Sequence, residues 1–463
     1  MYLIRRKKDS LDSCRPDIEI GACCGRARFK PGLSLWLLSG LLMVACPVLS
    51  GQEHYPAQPV LTLEQAEQVA LNGEPGIASQ EWQAKSLAER SVADGQLMDP
   101  KLQIGLANMP SDSFDFNQEN MTQFKVGIVQ QFPSGNTLDL RQEKTRKKSE
   151  LIMSKIAERK LTIARDVRLT YLEIYYWEQA KRTIIENKKL FTQLVDIVRS
   201  LFSVGRNNQQ DLIRAQLELS RLDDRIAKIT QKVNVQRSKL SRWVGSEYSR
   251  KPLSADLPEM PTLELEDDFQ TLSQRFLSHP RIEQIDKNME VSRKDIDLAR
   301  EKYKPGWALN VSYGYRDDAP NGMERSDFVS AGVTMDLPLF TRNRQDKTLL
   351  SREHQYQALK DKRIELIRQL VAELQQQMVN EKQLMERQRL YADLLLPQAK
   401  QQMQASLLAY QSDKGSFADV MRAYIDDLNA SLDQHRISID LQQARARIQY
   451  FVSSFEQQAG AGS

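Results

Sequence analysis

Between Thr137 and Phe202 no proline interrupts the chain, and apolar residues recur at Leu190, Leu194, Ile197 and Leu201, the spacing of one helix face. Past Gly205 the pattern sharpens. Leu212, Ala215, Leu219, Leu222, Ile226, Ile229 and Val233 alternate steps of three and four, which is the spacing of a coiled-coil seam. The flanks of this seam are charged, as in "RLDDRIAKITQK", so the predicted helices pack side by side and keep a broad face in water. At 1.5 Å per residue, 137–202 and 342–411 predict helices of about 100 and 105 Å, whereas 62–98, 208–245, 267–303 and 416–455 predict about 55 to 60 Å each. Two short helices laid end to end therefore match one long one. Pro397 predicts a kink in the second long helix.

Between the helices the period changes to two. In "KLQIGLANM" Leu102, Ile104 and Leu106 alternate with Lys101, Gln103 and Gly105, and in "TQFKVGIVQQF" Phe124, Val126 and Ile128 alternate with Lys125 and Gly127. Trp307, Leu309, Val311, Tyr313 and Tyr315 form a third such run, and Val329, Ala331, Val333 and Met335 a fourth. These predict four strands, at about 100–109, 121–132, 306–315 and 327–338, of the length that crosses a bilayer at a tilt. Alternation alone equally describes amphipathic hairpins on a soluble domain. Four strands cannot close a barrel and open edges cannot sit in lipid, so a spanning version requires an oligomer sharing one barrel.

The pattern is also written twice. "FSVGRNNQQDL" returns as "YQSDKGSFADV" and "MDPKLQIGL" as "YKPGWALNV"; Pro75, Pro100 and Pro133 find counterparts in Pro280, Pro305 and Pro338 at an offset of about 205 residues. The expected organisation is an export segment over 1–50, a first repeat over 51–262, a second over 263–456 and a short tail over 457–463. The tips of the two hairpins fall at about 203–209 and 411–416.

Composition narrows the class further. All four cysteines (Cys14, Cys23, Cys24 and Cys46) precede residue 47, which argues against a disulfide scaffold, a thiol enzyme or a zinc ribbon. The four histidines, His54, His279, His354 and His435, are too scattered to form a local metal motif. Basic residues followed by "LSLWLLSGLLMVACPVLS" read as an export signal with a long charged region, whose first 25 residues have the look of an over-extended start. Two processing readings stand: cleavage after Ser50, and an imperfect lipobox "MVAC" that makes Cys46 a lipidated first residue. The formal charge of +4 is that of residues 1–50, leaving the rest near neutral and removing the argument for nucleic acid. No Gly-rich phosphate loop, HExxH or nucleophile elbow is present, so an enzyme is not expected and no cofactor is implied. The rival to a channel is a secreted coiled-coil adaptor or tether.

The order helix, strand, strand, long helix, turn, helix, written twice behind a signal, resembles the TolC-like outer membrane factors of tripartite efflux systems. The run "DPKLQIGLANMPSDSFDFNQENMTQFKVGIVQQFPSGNTLDLR" is similar to the branch serving heavy-metal efflux pumps, that of CusC and CzcC. The resemblance implies a mainly α chain with a membrane β-barrel portion: a homotrimer whose twelve strands form one barrel in outer membrane lipid, continued by long antiparallel hairpins as a periplasmic α-barrel. It implies a periplasmic adaptor and an inner-membrane RND-type pump as partners. By the same match, adaptor contact falls to Val204, Gly205, Arg206, Asn207 and Asn208 and to Ser412, Asp413, Lys414, Gly415 and Ser416. Asp413 departs from the pattern by standing opposite Gly205.

Asp419 matches an acidic ring at the tunnel's narrowest point, and Arg422 stands where the next family acid is expected. The resemblance makes these two the gate. A carboxylate there also simply favours a helix start. The cargo implied is heavy-metal cations, with drugs or polypeptides as the alternative. Met98, Met109, Met121, Met323, Met335 and Met421 suit soft metals but show no ligand cluster, so packing is their expected role.

Overall fold

The computed structural model describes residues 60–205 and 208–459, the last seven of these by their backbone alone. The expected export segment with Cys46, the tip residues Arg206 and Asn207, and the last four residues of the expected tail lie outside the described residues. Two helices, α1 (Leu63–Gly73) and α2 (Pro75–Asp94), lead into strands β1 (Lys101–Ala107) and β2 (Gln123–Phe132). Helix α3 (Thr137–Ser203) and helix α4 (Gln209–Ser249) follow. After an extended linker come α5 (Phe269–Arg275), α6 (Pro280–Glu301), β3 (Trp307–Tyr315) and β4 (Phe328–Met335). The chain then runs through α7 (Gln345–Leu390), a π-turn (Tyr391–Leu395), α8 (Leu396–Gln411) and α9 (Phe417–Ala459).

The expected single helix over 62–98 is two helices, and the reason is local. Pro75 occupies the first turn of α2, where it lacks nothing the helix needs, and Glu74 caps that turn by accepting from the Ile77 N–H at 2.7 Å. The expected helix 267–303 breaks in the same way at Pro280. There His279 is the cap, its ring accepting from the Arg281 N–H at 3.2 Å. At Pro397 the helix changes its hydrogen-bond pattern. The donor that proline lacks is absorbed one turn earlier, where the Leu396 N–H reaches back to the Tyr391 carbonyl in a π-turn.

Helix α3 is the spine. It packs against α2 and α6 along its first part and against α4 and α9 along its second, while α7 covers α6 and α9. The α4 seam meets α3 at the predicted positions: Ala215, Leu222 and Ile229 are buried, and Leu212, Leu219, Ile226 and Val233 are half-buried against them. Between α3 and α6 the contact is charged, with Lys144 on Asp295 at 2.6 Å, Lys147 on Glu290 at 2.9 Å, Lys287 on Glu150 at 3.0 Å, and Lys294 on Glu143. At mid-length the segment before α1 and the linker after α4 pair through Leu61 and Leu253 and lie against α3. Tyr171 donates to the Leu61 carbonyl at 2.8 Å, and Tyr175 donates to that of Ala255 at 2.9 Å.

Candidate functional site

The four strands make one antiparallel sheet in the order β1-β2-β3-β4, so the two hairpins are joined by the pairing of β2 with β3. Register decides what each face carries. Leu102 lies opposite Ile128, which lies opposite Val311, which lies opposite Ala331; Ile104, Val126, Tyr313 and Val329 form the next row. Ala107, Val129, Ala308 and Phe328 lie on one face, and the alternating apolar residues named from the sequence thus fall together on the other. Its bulky members are exposed, from Val126 at 36% to Val329 at 76%. At the helix end of this face Phe132 stacks on Trp307, with centroids 4.1 Å apart, and at the loop end Phe124 pairs with Tyr315. Phe124 to Phe132 spans eight residue steps, about 26 Å along the strand, so two aromatic pairs on β2 and β3 bracket an apolar band of bilayer scale.

The opposite face carries Gln103, Asn310, Ser312, Ser330 and Thr334, together with four glycines. It is crowded. A Cβ at Gly127 would meet the Ser312 side chain at 2.8 Å, one at Gly332 would meet Asn310 at 2.7 Å, and one at Gly314 would collide with Gln123. Glycine is what a sheet requires where it curls toward one side. The sheet has an open edge at β1 and another at β4, and nothing among the described residues covers either.

At the far end of the helices the chain reverses twice. In the first tip Gly205 adopts a left-handed φ of +73°, and its N–H donates to the Phe202 carbonyl at 3.0 Å; exposed Val204 precedes it, and Asn208 stands extended just before α4 without a side-chain cap hydrogen bond. In the second tip Asp413, with φ +59°, takes the same left-handed position. Its N–H donates to the Tyr410 carbonyl at 3.1 Å and that of Lys414 to Ala409 at 2.8 Å, which completes a Schellman cap. The substitution that sets the two tips apart in sequence therefore leaves this part of the turn alike, because aspartate tolerates the left-handed region better than most residues. Gly415 sits against Ala409, and the rings of Tyr410 and Phe417 close the loop at 5.7 Å.

Ser416 and Asp419 cap α9 reciprocally. The Ser416 hydroxyl accepts from the Asp419 N–H at 3.2 Å and donates to the Asp419 carboxylate at 2.7 Å. Arg422, one turn on, lies 3.5 Å from the other Asp419 oxygen, and both side chains are well exposed. Two turns further into the bundle Asp427 is only 7% exposed, and its Oδ1 has no hydrogen-bond partner. Burial pushes its carboxyl above the usual range, partly offset by Lys400. Asp427 was not singled out from the sequence, although its spacing from Val420 and Tyr424 on one helix stripe was the available signal.

The sheet thus has one apolar face and one polar, glycine-lined face, and the long helices end in two reversals. Solved structures share this fold. The outer-membrane channel OprN superposes with a TM-score of 0.70 at 13% identity, over 85% of this chain and 90% of its own. CusC, described for its transmembrane channel formation, does so at 0.71 and 15%, over 84% and 91%. The CmeC outer membrane channel of Campylobacter jejuni gives 0.71 at 12%, over 85% of each chain. At these identities the likeness establishes the fold. No protein-family model and no curated protein sequence matches the chain.

Proposed function

We propose that this chain is the outer membrane component of a tripartite efflux system: a passive homotrimeric duct fed by an inner-membrane RND-type pump through a periplasmic adaptor. One observation carries the proposal. The sheet offers an exposed apolar band, four strands wide and bracketed by aromatic pairs on its two central strands, together with two unpaired edges. In water such a face and such edges are liabilities; in lipid, with three copies closing twelve strands, both are satisfied. The polar face then lines the pore, and the helices continue it away from the membrane as an α-barrel. A secreted tether has no use for a bare apolar sheet.

The described tip residues Val204, Gly205, Asn208, Ser412, Asp413, Lys414, Gly415 and Ser416 are the proposed adaptor contacts, and Asp419 with Arg422 the proposed gate. The cap and ion pair within one chain support a gate held shut by local geometry rather than by a bare ring of carboxylates. The resemblance to the heavy-metal branch points the cargo toward metal ions.

The test is to express the full precursor in a Gram-negative host and run isolated outer membranes unheated and heated on a denaturing gel. A species near three times the monomer mass that collapses on boiling is expected; a soluble periplasmic monomer sinks the channel reading.

A further inference from the structure

We propose that the polar face of the sheet is an anion-favouring belt, and that the cargo leaving through it is neutral or anionic. The proposal rests on the channel reading above. The four strands contain two charged residues, Lys101 and Lys125; both lie on the polar face, and no strand contains a carboxylate. Neither lysine makes an ion pair among the described residues. Lys125 is half-buried, and its cross-strand neighbours are Gly105 on one side and Gly314 on the other, so no adjacent side chain in its row screens it.

Lysine on a strand has a simpler use, which is to keep an edge from pairing with foreign strands. That explanation suits Lys101 on β1. It does not suit Lys125, which stands on an inner strand where both edges are already paired. A further cation stands at the loop end. Arg316 lies over the Phe328 ring at 3.8 Å, on the same face, and donates to the carbonyls of Ser326 and Asn120. The loop end is not itself cationic: Asp327 accepts from the Arg316 backbone N–H at 2.9 Å and feels its charge, and Asp112, Asp115, Glu119, Asp317, Asp318 and Glu324 stand in the two loops, so the belt is confined to the strands; at the helix end Asp99 and Asp336 lie just beyond them.

With three copies closed into one barrel, Lys101 and Lys125 become two rings of three cations, about 13 Å apart along the strands. Rings of Lys or Arg in a pore favour anions and repel cations. The tip does not cancel this, because Asp419 is offset by Arg422 at 3.5 Å. A free divalent cation therefore meets a barrier at the barrel, whereas a metal leaving as a neutral or anionic complex does not.

The test is reversal potential in a planar bilayer under a KCl gradient, using the full-length trimer, with hexacyanoferrate added from the loop side as a blocking anion. Lys101→Gln with Lys125→Gln is expected to lower the chloride-to-potassium permeability ratio by roughly tenfold and to abolish the block. Lys101→Arg with Lys125→Arg, which keeps the charge, is expected to behave as wild type and so separates charge from folding. Conducting channels whose reversal potential is the same in the Gln and wild-type forms overturn the belt and leave the duct standing. Failure to conduct of both wild type and Asp419→Ala, which removes the contacts holding the gate shut, overturns the duct and the belt with it.

Discussion

Asp413 shows how much one dihedral decides. Its φ of +59° is a conformation in which a β-branched side chain is strained by about 1–2 kcal/mol. Asp413→Gly should hold or slightly raise the unfolding midpoint, and Asp413→Val should lower stability by about that amount, as chemical denaturation can measure. His279 and Asp427 make opposite pH predictions. His279 is fully buried between Phe276 and Tyr450, and burial, with Arg281 adding to it, pulls its pKa down to about 4. Its stability contribution is therefore complete above the unfolded value of 6.5 and declines as pH falls toward 4, by up to about 3 kcal/mol. Denaturation midpoints between pH 7 and 4.5 should fall less steeply in His279→Asn, which keeps a capping acceptor. Asp427 has a raised pKa, so its cost is absent below pH 3.8 and grows as pH rises through the folded value. Asp427→Asn should stabilise the tip end at pH 7 and be indifferent at pH 3.5; an equal effect at both would show that ionisation is not the cost.

Among the elements, the α4 seam and the four strands were readable because period and environment coincide: the stripe from Leu212 to Val233 turns to α3, and Val126 and Ile128 turn to the apolar face of the sheet while Lys125 and Gly127 turn to the other. The helix breaks were less readable. Pro75 and Pro280 were visible, but whether proline starts a new helix or bends an old one depends on the residue before it supplying a cap, as Glu74 and His279 do. The answer at Pro397 lay in hydrogen bonds, since no capping residue precedes it and the π-turn absorbs the missing donor. Pro397→Ala is expected to let α7 and α8 merge, raising hydrogen-exchange protection around Leu394 to Leu396; unchanged protection would mean that the π-turn has another cause. The α3–α6 contact could not be read at all, because Lys147 and Glu290 are ordinary surface charges until two distant helices meet. The Lys147 ammonium is held charged above its usual range by Glu290, with Glu150 adding to it.

For the whole molecule the sheet face is the decisive object, and what alternation left open was which runs share a side. Only the register of β2 against β3 settles that. Val311 sits mid-band between Ile128 and Ala331. Val311→Arg should cost about 2–4 kcal/mol in lipid and little in water. Loss of the heat-labile high-mass species from outer membranes, with the soluble fraction gaining the chain, is the expected result on an unheated gel. Normal assembly of this variant would place the face against something other than lipid.

The β2–β3 ladder has a consequence in time as well as in space. Phe132 and Trp307 stack face to face, yet well over a hundred residues of helix separate them along the chain. Pairings that distant form late, after loop closure has been overcome, so the first hairpin must wait for the second. Until then its inner edge is bare, beside an apolar side that the finished sheet also leaves exposed. The vulnerable moment for this protein is therefore the interval between synthesis of β2 and arrival of β3, a delay during which a holding chaperone has something definite to hold.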